Sequence, residues 1–262
     1  MTLLLPPTIN VLAKGFGGPD DLALLPDGSI LFSDIGNGTI NQIARDGTVT
    51  TLLRGLKGPE GIVVLPALRG ALVIAEQNTN RLLLFHPGSG QPATTWLALE
   101  NKTGNAGVDG IARDPATGDM IIPDSPNGRV LRVGADAKNV RVIATGLTRP
   151  TGAAVARDGS VIVADEYGNA VVRLGADGRA ESLGHFAMPD DVAIDAEGNI
   201  FVTSLGDNSV RMTTVTSVIG ATGGAVRWIA NVRHPQGILV DADGNLVVAE
   251  AGLNRIVRLK IR

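Results

Sequence analysis

Six imperfect copies of one segment run through this chain of 262 residues. The clearest copy is MPDDVAIDAEGNIFVTS at 188–204, in which a Pro-Asp pair, an apolar run, an Asp-x-x-Gly turn and a second apolar run follow one another. The other copies lie at 18–34, 58–76, 107–124, 149–165 and 234–250. Successive copies, aligned on the residue after the proline or its replacement, are 40, 49, 42, 39 and 46 residues apart. This spacing is typical of four-stranded propeller blades.

Each repeat predicts β-strands throughout. The first contains LALL, SILFS, TINQIA and TVTTLL, short runs rich in Ile, Leu, Val and Thr, with Asp-Gly pairs between them. Because Asp-Gly and Asn-Gly tolerate the positive φ of tight hairpins, consecutive strands are expected to pair antiparallel. We therefore predict an all-β fold, a six-bladed β-propeller of four-stranded antiparallel blades. The blades are expected to start near residues 19, 59, 108, 150, 189 and 235.

The last repeat is one strand short. After position 235 the sequence has three apolar runs, whereas TINVLAK at 8–14 precedes the first repeat without a partner. We therefore predict that the segment 8–14 completes the last blade and closes the ring, which removes an open sheet edge. No linker divides the repeats, so residues 1–262 are predicted to form a single domain. Segments 96–107 and 216–224 lengthen two connections, and such insertions often carry function.

Composition narrows the classes of partner. A formal net charge of −3 and 3% aromatic residues argue against binding to nucleic acid or to an anionic membrane. There is no cysteine, which excludes thiolate metal sites and cysteine nucleophiles. No apolar run is long enough to span a bilayer, and the N-terminus lacks the features of a signal peptide. The default predictions are a cytoplasmic protein with a small-molecule substrate and no obligate protein partner.

The repeat places two sets of polar residues at one end of the propeller, which we call the mouth. The first ring, at the start of the inner strands, comprises Asp20, Glu60, Asp109, Thr151, Asp190 and Gln236. The second ring, at the ends of the second strands, comprises Asp34, Glu76, Asp124, Asp165, Ser204 and Glu250. Nine of these twelve residues are carboxylates, and like charges in one funnel require protonation, arginine partners or a bound cation.

The two rings invite different interpretations. Oxygen ligands on rigid strand ends suit a hard divalent cation, so the acids of the first ring are predicted to bind metal or substrate. Ca²⁺ is the first choice, with Mg²⁺, Mn²⁺ or Zn²⁺ as alternatives. The acids of the second ring are expected to cap backbone amides, as Asp readily does. Arg81, Arg129 and Arg255 are expected to pair with that ring across blades.

Acid–base chemistry has several candidates at the mouth. His185 and His234 lie in connections that lead to the first ring, and a histidine there can act as a general base. The alternative for both is a plain surface residue. The predicted catalytic residues are Asp190, Asp109, His185 and His234, and the predicted substrate-binding residues are Glu60, Thr151, Gln236 and Asp191. No G-x-S-x-G, Walker A or H-E-x-x-H motif is present.

Two stretches, GSVIVADEYGNAVVRL and GNLVVAEAGLNRIVRL, resemble the repeats of NHL propellers. A narrower resemblance is to the senescence-marker-protein, gluconolactonase and luciferin-regenerating-enzyme family. PDDVAIDAEGNIFVTS is similar to that family's segment in which the Asp binds the central metal, which implies a metal-binding role for Asp190. VDGIARDPATGDM is similar to its segment with substrate contacts, which implies such a role for Asp109.

The same resemblance locates two further ligand positions. Asp20 stands where the family has a metal-binding Glu, and Thr151 stands where it has a metal-binding Asn. Asp109 is a further ligand candidate from its place in the acidic first ring, so the predicted metal ligands are Asp20, Asp190, Thr151 and Asp109.

Three functions remain open on sequence grounds. The first is a divalent-metal-dependent hydrolase of the lactonase or esterase type that acts on a small molecule at the mouth. The second is a non-catalytic NHL-type propeller that binds a partner on the mouth face. The third is a metal-independent enzyme, strictosidine-synthase-like or a lyase, that works with acid–base groups.

Overall fold

Six four-stranded antiparallel sheets make up the chain, which confirms the predicted all-β propeller. The computed structural model describes residues 7–100, 106–175, 179–214 and 226–261.

From the inner to the outer strand, blade 1 consists of β2 (Pro19–Leu24), β3 (Ile30–Asp34), β4 (Thr39–Ile43) and β5 (Val49–Arg54), and blade 2 of β6 (Pro59–Leu65), β7 (Ala71–Glu76), β8 (Arg81–Phe85) and β9 (Thr94–Ala98). Blade 3 consists of β10 (Ala112–Arg113), β11 (Met120–Asp124), β12 (Arg129–Val133) and β13 (Val140–Thr145), and blade 4 of β14 (Pro150–Val155), β15 (Val161–Asp165), β16 (Ala170–Leu174) and β17 (Ala180–His185). Blade 5 consists of β18 (Pro189–Ile194), β19 (Asn199–Ser204), β20 (Ser209–Thr214) and β21 (Arg227–Asn231), and blade 6 of β22 (Pro235–Val240), β23 (Leu246–Glu250), β24 (Arg255–Lys260) and β1 (Thr8–Lys14).

The ring closes through the N-terminal strand, as the sequence predicts. Strand β1 pairs antiparallel with β24, from Thr8 opposite Lys260 to Lys14 opposite Arg255. The inner strands then contact one another around the axis in the order β2, β6, β10, β14, β18 and β22, with β22 returning to β2. Blade 6 is therefore held together by both ends of the chain.

The hydrophobic core is divided among the interfaces between blades. Six clusters of buried apolar side chains are present among the described residues, and each joins two neighbouring blades. The largest cluster packs Val63, Val73 and Leu82 of blade 2 against Met120 and Leu131 of blade 3. Each sheet thus buries both faces, which a single four-stranded sheet cannot do.

A β-bulge recurs where five of the six inner strands begin. In blade 1 the register between β2 and β3 shifts between Pro19 and Leu22, and blades 2, 4, 5 and 6 shift at the equivalent position. The two residues inside the bulge, Asp20 and Asp21 in blade 1, leave the regular ladder. Because a bulge re-aims side chains, this irregularity places the first-ring residues at the axis.

Blade 3 differs from the expected boundaries. Its inner strand is the two-residue β10, which starts at Ala112 rather than near 108. The residues before it pair differently, since the carbonyl of Asp109 accepts a hydrogen bond from Gly61 N of blade 2. The other five inner strands start at Pro19, Pro59, Pro150, Pro189 and Pro235.

The two lengthened segments lie partly or wholly beyond this description. Residues 216–224 lie outside the described residues, as do 101–105 within the segment 96–107. Among the described residues, none belongs to a helix long and apolar enough to cross a membrane.

Candidate functional site

Four buried carboxylic acids surround the axis at the mouth. Asp20, Glu60 and Asp109 each offer an oxygen atom, and these three atoms lie within 4.8 Å of one another. Asp190 is buried beside them and is close enough for its charge to raise the pKa of Glu60. The inner strands of blades 1, 2, 3 and 5 therefore bring together four of the predicted acids.

Burial and mutual repulsion raise the pKa values of these acids. Burial raises the pKa of Asp20 from its ordinary 3.8 to about 7, although a hydrogen bond with Glu60 partly offsets the shift. Burial raises the pKa of Glu60 well above its ordinary value, and the charges of Asp20 and Asp109 add to the shift. The pKa of Asp190 is raised well above its ordinary value, first by burial and then by Asp109 and Asp20. The cluster thus concentrates more negative charge than its surroundings stabilise.

One arginine supplies a fixed positive charge to this cluster. Arg149 donates from Nη2 to Asp109 Oδ2 at 2.8 Å, and its Nη1 forms an ion pair with the buried carboxylate of Glu166. Its guanidinium carbon also lies 5.3 Å from the ring centroid of Tyr167, a cation–π distance. Burial raises the pKa of Asp109, and Arg149 opposes that shift. Arg149 therefore links the axial acids to the exposed edge of the mouth.

The second ring holds the segments that lead into the inner strands. Asp165 accepts hydrogen bonds from the backbone N–H groups of Thr148 and Arg149, the latter at 2.7 Å. Glu76 and Glu250 likewise accept at 2.9 Å from the N–H groups of Lys57 and Arg233. Backbone capping by this ring, expected from the sequence, is therefore observed, and it fixes the approach to each axial residue.

The arginines of this ring pair differently from the prediction. Arg81 donates to Glu76, Arg129 to Asp124 and Arg255 to Glu250, each within its own blade rather than across blades. The antiparallel register explains the correction, because it sets each arginine directly opposite its acid on the neighbouring strand.

Two aspartates next to the ring join neighbouring blades. Asp21 Oδ2 accepts from Ile62 N of blade 2 at 2.7 Å, and Asp191 Oδ2 accepts from Ile238 N of blade 6 at 2.9 Å. Burial raises the pKa of Asp191 to about 7 and that of Asp21 well above its ordinary value. Asp191, predicted to bind substrate, thus serves as a backbone cap between blades.

Thr151 and Gln236 complete the first ring without joining the acids. The Thr151 hydroxyl is fully buried and donates to the carbonyl oxygen of Asp190 at 2.7 Å. This hydrogen bond ties Thr151 to the backbone of blade 5, and the ligand role of Thr151 stays a prediction. Gln236 is half-buried at the start of the inner strand of blade 6.

The two candidate histidines lie away from the axis. His185 is exposed at the end of β17, the outermost strand of blade 4, where it pairs with Ala170. His234 is exposed immediately before β22, and its backbone N–H donates to Asn208 Oδ1 at 2.7 Å. Of the two, His234 lies on a connection that leads directly into an axial strand.

Arg149, Glu166 and Tyr167 form part of this site, although they are not among the site residues predicted from the sequence. Arg149 has a signal in the repeat, because it stands two residues before the ring residue, where the first three repeats have Gly18, Gly58 and Gly107. A comparison of the six repeats at that position could have found it. Glu166 and Tyr167 have no such signal, since the turn between the second and third strands varies freely.

A divalent cation fits the axial acids. Two oxygen atoms bound to one Ca²⁺ at 2.3–2.6 Å stand at most about 5 Å apart. The oxygen atoms of Asp20, Glu60 and Asp109 meet this limit. A cation would also remove the repulsion that raises the pKa values of these acids. The donor set is made of oxygen alone, which suits Ca²⁺ or Mg²⁺.

The fold and the site together define a six-bladed propeller with a cluster of buried acids on its axis. The sequence model of one protein family, the SMP-30/gluconolactonase/LRE-like region, matches residues 22–218 of this chain. The chain belongs to this family, as its Pro-Asp segments indicate. Among curated proteins, no match to the sequence is found.

Solved structures with the same fold carry different functions. A gluconolactonase from Xanthomonas campestris is 17% identical, with a TM-score of 0.75, over 96% of this chain and 89% of that chain. An auxiliary nutrient binding protein from Bacteroides thetaiotaomicron is 14% identical, with a TM-score of 0.73, over 94% and 69% of the respective chains. Virginiamycin B lyase from Staphylococcus aureus is 15% identical, with a TM-score of 0.71, over 97% and 98%. At such identities the likeness establishes the fold alone, and the function has to be argued from the site.

Proposed function

We propose that this protein is a divalent-metal-dependent hydrolase of the lactonase or esterase type that acts on a small molecule at the mouth. The observation that carries the proposal is the group of buried acids at the axis, three of which offer oxygen atoms within 4.8 Å of one another. Membership of a family that includes gluconolactonases supports the choice of ester chemistry.

In this proposal the acids have separate roles. Asp20, Glu60 and Asp109 hold the cation, which when bound polarises the ester carbonyl and stabilises negative charge on its oxygen. Asp190 is the general base, because a carboxylate with a raised pKa accepts a proton from water more readily near neutral pH. Arg149 favours the ionised form of Asp109, because its hydrogen bond opposes the rise in the pKa of Asp109 that burial causes.

A metal-independent acid–base enzyme is the second candidate, and two contacts favour it. Arg149 already provides a positive charge to Asp109, and a hydrogen bond joins the carboxyl groups of Asp20 and Glu60. These contacts offset part of the charge of the cluster without a cation.

A panel of lactones and esters, assayed before and after chelator treatment, tests the proposal. We expect hydrolysis that depends on an added divalent cation and falls by about 100-fold or more in Asp190→Asn, as loss of a general base does. Asp46→Asn, at an exposed far-end turn, is the matched control and should retain full activity. Hydrolysis that survives chelation would favour the second candidate, and no hydrolysis of any ester or lactone would refute the hydrolase assignment.

A further inference from the structure

The residue two positions before each first-ring residue, which we call the approach position, divides the mouth into two halves. In chain order the approach positions are Gly18, Gly58, Gly107, Arg149, Met188 and His234. Blades 1–3 therefore present bare backbone here, and blades 4–6 present three large side chains. Gly58, Met188 and His234 share a left-handed backbone conformation, with φ values of 68°, 47° and 46°, so these three positions differ in their side chains rather than in their backbone.

Close packing explains the three glycines. A Cβ atom on Gly107 would stand 2.0 Å from the carbonyl oxygen of Gln77, and one on Gly58 would stand 2.9 Å from the Asn78 side chain. A Cβ atom on Gly18 would lie 3.1 Å from Ile35. Backbone therefore leaves no room for a side chain at Gly107, whereas a Cβ atom at Gly58 or Gly18 would crowd a neighbouring side chain.

Two approach positions on blades 4–6 carry a side chain although their backbone conformation favours glycine. Met188 and His234 have φ values of 47° and 46°, in the left-handed region that favours glycine. Both side chains are exposed, so packing into the core does not explain why the repeat departs from glycine here. Backbone strain of this kind, kept at a cleft, points to a functional contact.

Exposed apolar side chains gather on the same half of the mouth. Tyr167, Met188 and Leu253 are 58%, 37% and 39% exposed, and we call them the apolar rim. In the described part of the chain, the other large exposed hydrophobic residues lie on outer strands or, for Leu68, at a far-end hairpin. No counterpart of the apolar rim lies on blades 1–3 within those residues.

Hydrogen bonds tie the apolar rim to the approach positions and hence to the axis. Met188 N donates to Asn169 Oδ1 at 2.9 Å, in the turn that carries Tyr167. The carbonyl of His234 accepts from Ala251 N at 3.2 Å, in the turn that carries Leu253. Met188 in turn stands two residues before the axial Asp190. A ligand with its reacting group at the axial acids can therefore extend over the rim.

We propose that the apolar rim binds an alkyl or aryl substituent of the substrate, so that the substrate class is hydrophobic lactones or esters rather than polyhydroxylated sugar lactones. The inference rests on the proposed hydrolase activity for the reacting group. The side chains that carry it are carbon-rich surfaces, which gain affinity by removing apolar groups from water. A sugar lactone would leave them exposed and would require more hydrogen-bonding groups than the rim offers.

The test is a series of γ-lactones with alkyl chains of increasing length, assayed for hydrolysis by the cation-loaded protein. Parallel calorimetric titrations use the matching γ-lactams, which the enzyme does not hydrolyse. We expect kcat/KM and lactam affinity to rise by about three- to fourfold per methylene that the rim covers. Met188→Gly should flatten this dependence, so that the longest lactones lose the most.

We expect Met188→Gly to fold, because glycine is the residue that the first three repeats have at this position and it adopts a positive φ without strain. Arg69→Gly is the matched control, since Arg69 has φ 57° at a far-end hairpin that is exposed. Both variants should melt at or above the wild-type temperature, and Arg69→Gly should keep the chain-length dependence.

The outcomes separate this inference from the proposed function. Chain-length-dependent lactam binding that Met188→Gly abolishes would support the rim even if no lactone is hydrolysed. Lactone hydrolysis without chain-length preference, or with a preference that Met188→Gly leaves intact, would overturn the rim and leave the hydrolase proposal standing. Neither hydrolysis nor lactam binding would overturn both.

Discussion

Blades 1–3 and blades 4–6 use the same repeat for different purposes at the mouth. The first half contributes the three acids whose oxygen atoms converge, and its approach positions are glycines. The second half contributes one axial acid, Asp190, together with Arg149, Met188 and His234 at the approach positions. Two positions of the repeat thus differ between the halves: the first-ring position concentrates charge on blades 1–3, and the approach position presents side chains on blades 4–6.

The largest expected effect comes from a side chain placed on the bare half. Gly107→Ala sets a Cβ atom 2.0 Å from the Gln77 carbonyl oxygen, so the backbone has to move. We expect the free energy of unfolding to fall by about 3 kcal/mol, as overpacked sites do. Urea denaturation followed by circular dichroism measures the change.

Gly47→Ala separates steric conflict from conformational strain. Gly47 has φ 87° with no atom within 4 Å of a built Cβ, so its cost is conformational and about 1–2 kcal/mol. A loss in Gly107→Ala no greater than in Gly47→Ala would show that blades 1–3 have room for approach side chains. The structural division of the mouth would then be wrong.

A smaller effect is expected from pH, through the charge on the acidic half. The pKa of Asp20 rises from 3.8 to about 7, so the stabilisation linked to its proton is fully present below about pH 4 and is lost as pH rises to about 7. The raised pKa values of Glu60 and Asp190 act in the same direction. In chelator, the free energy of unfolding should therefore fall between pH 5 and pH 7.5.

Glu60→Gln should reduce this fall, because it removes one acid from the cluster. Asp46→Asn is the control: the pKa of Asp46 is lowered by hydrogen bonds with Thr48, so its own contribution changes below about pH 4. Urea denaturation at the two pH values gives the comparison. Stability that rises over this interval would mean that the acids are stably ionised without a cation, and an equal fall in Glu60→Gln would mean that Glu60 does not contribute to it.

The sequence predicts the fold well because the fold depends on a repeated local pattern. Spacing, apolar runs and Asp-Gly turns define the blades, and the unpaired run at 8–14 predicts the closing strand Thr8–Lys14. Blade 3 escapes this reasoning, since its inner strand begins at Ala112 after a stretch that pairs with Gly61 of blade 2. A hydrogen bond between two blades cannot be predicted from the spacing of residues within one repeat.

The site is predicted less completely for the same reason. Ring membership of Asp20, Glu60, Asp109 and Asp190 follows from their register in the repeat. The ion pairs of Arg149 depend on side-chain reach between blades, from blade 4 to Asp109 of blade 3. His185 shows the opposite error, because the chain path towards the mouth does not reveal that it sits on an outer strand.

The central claim is that the axial acids bind a divalent cation, and calorimetric titration of chelator-treated protein tests it most directly. Titrations with Ca²⁺, Mg²⁺, Mn²⁺ and Zn²⁺ near pH 7 in two buffers of different ionisation enthalpy report both binding and proton release. We predict one cation per chain, with protons released on binding because burial raises the pKa of Asp20 to about 7. We also predict much weaker binding in Glu60→Gln. No binding of any of the four cations, or equal binding by Glu60→Gln, would contradict the claim.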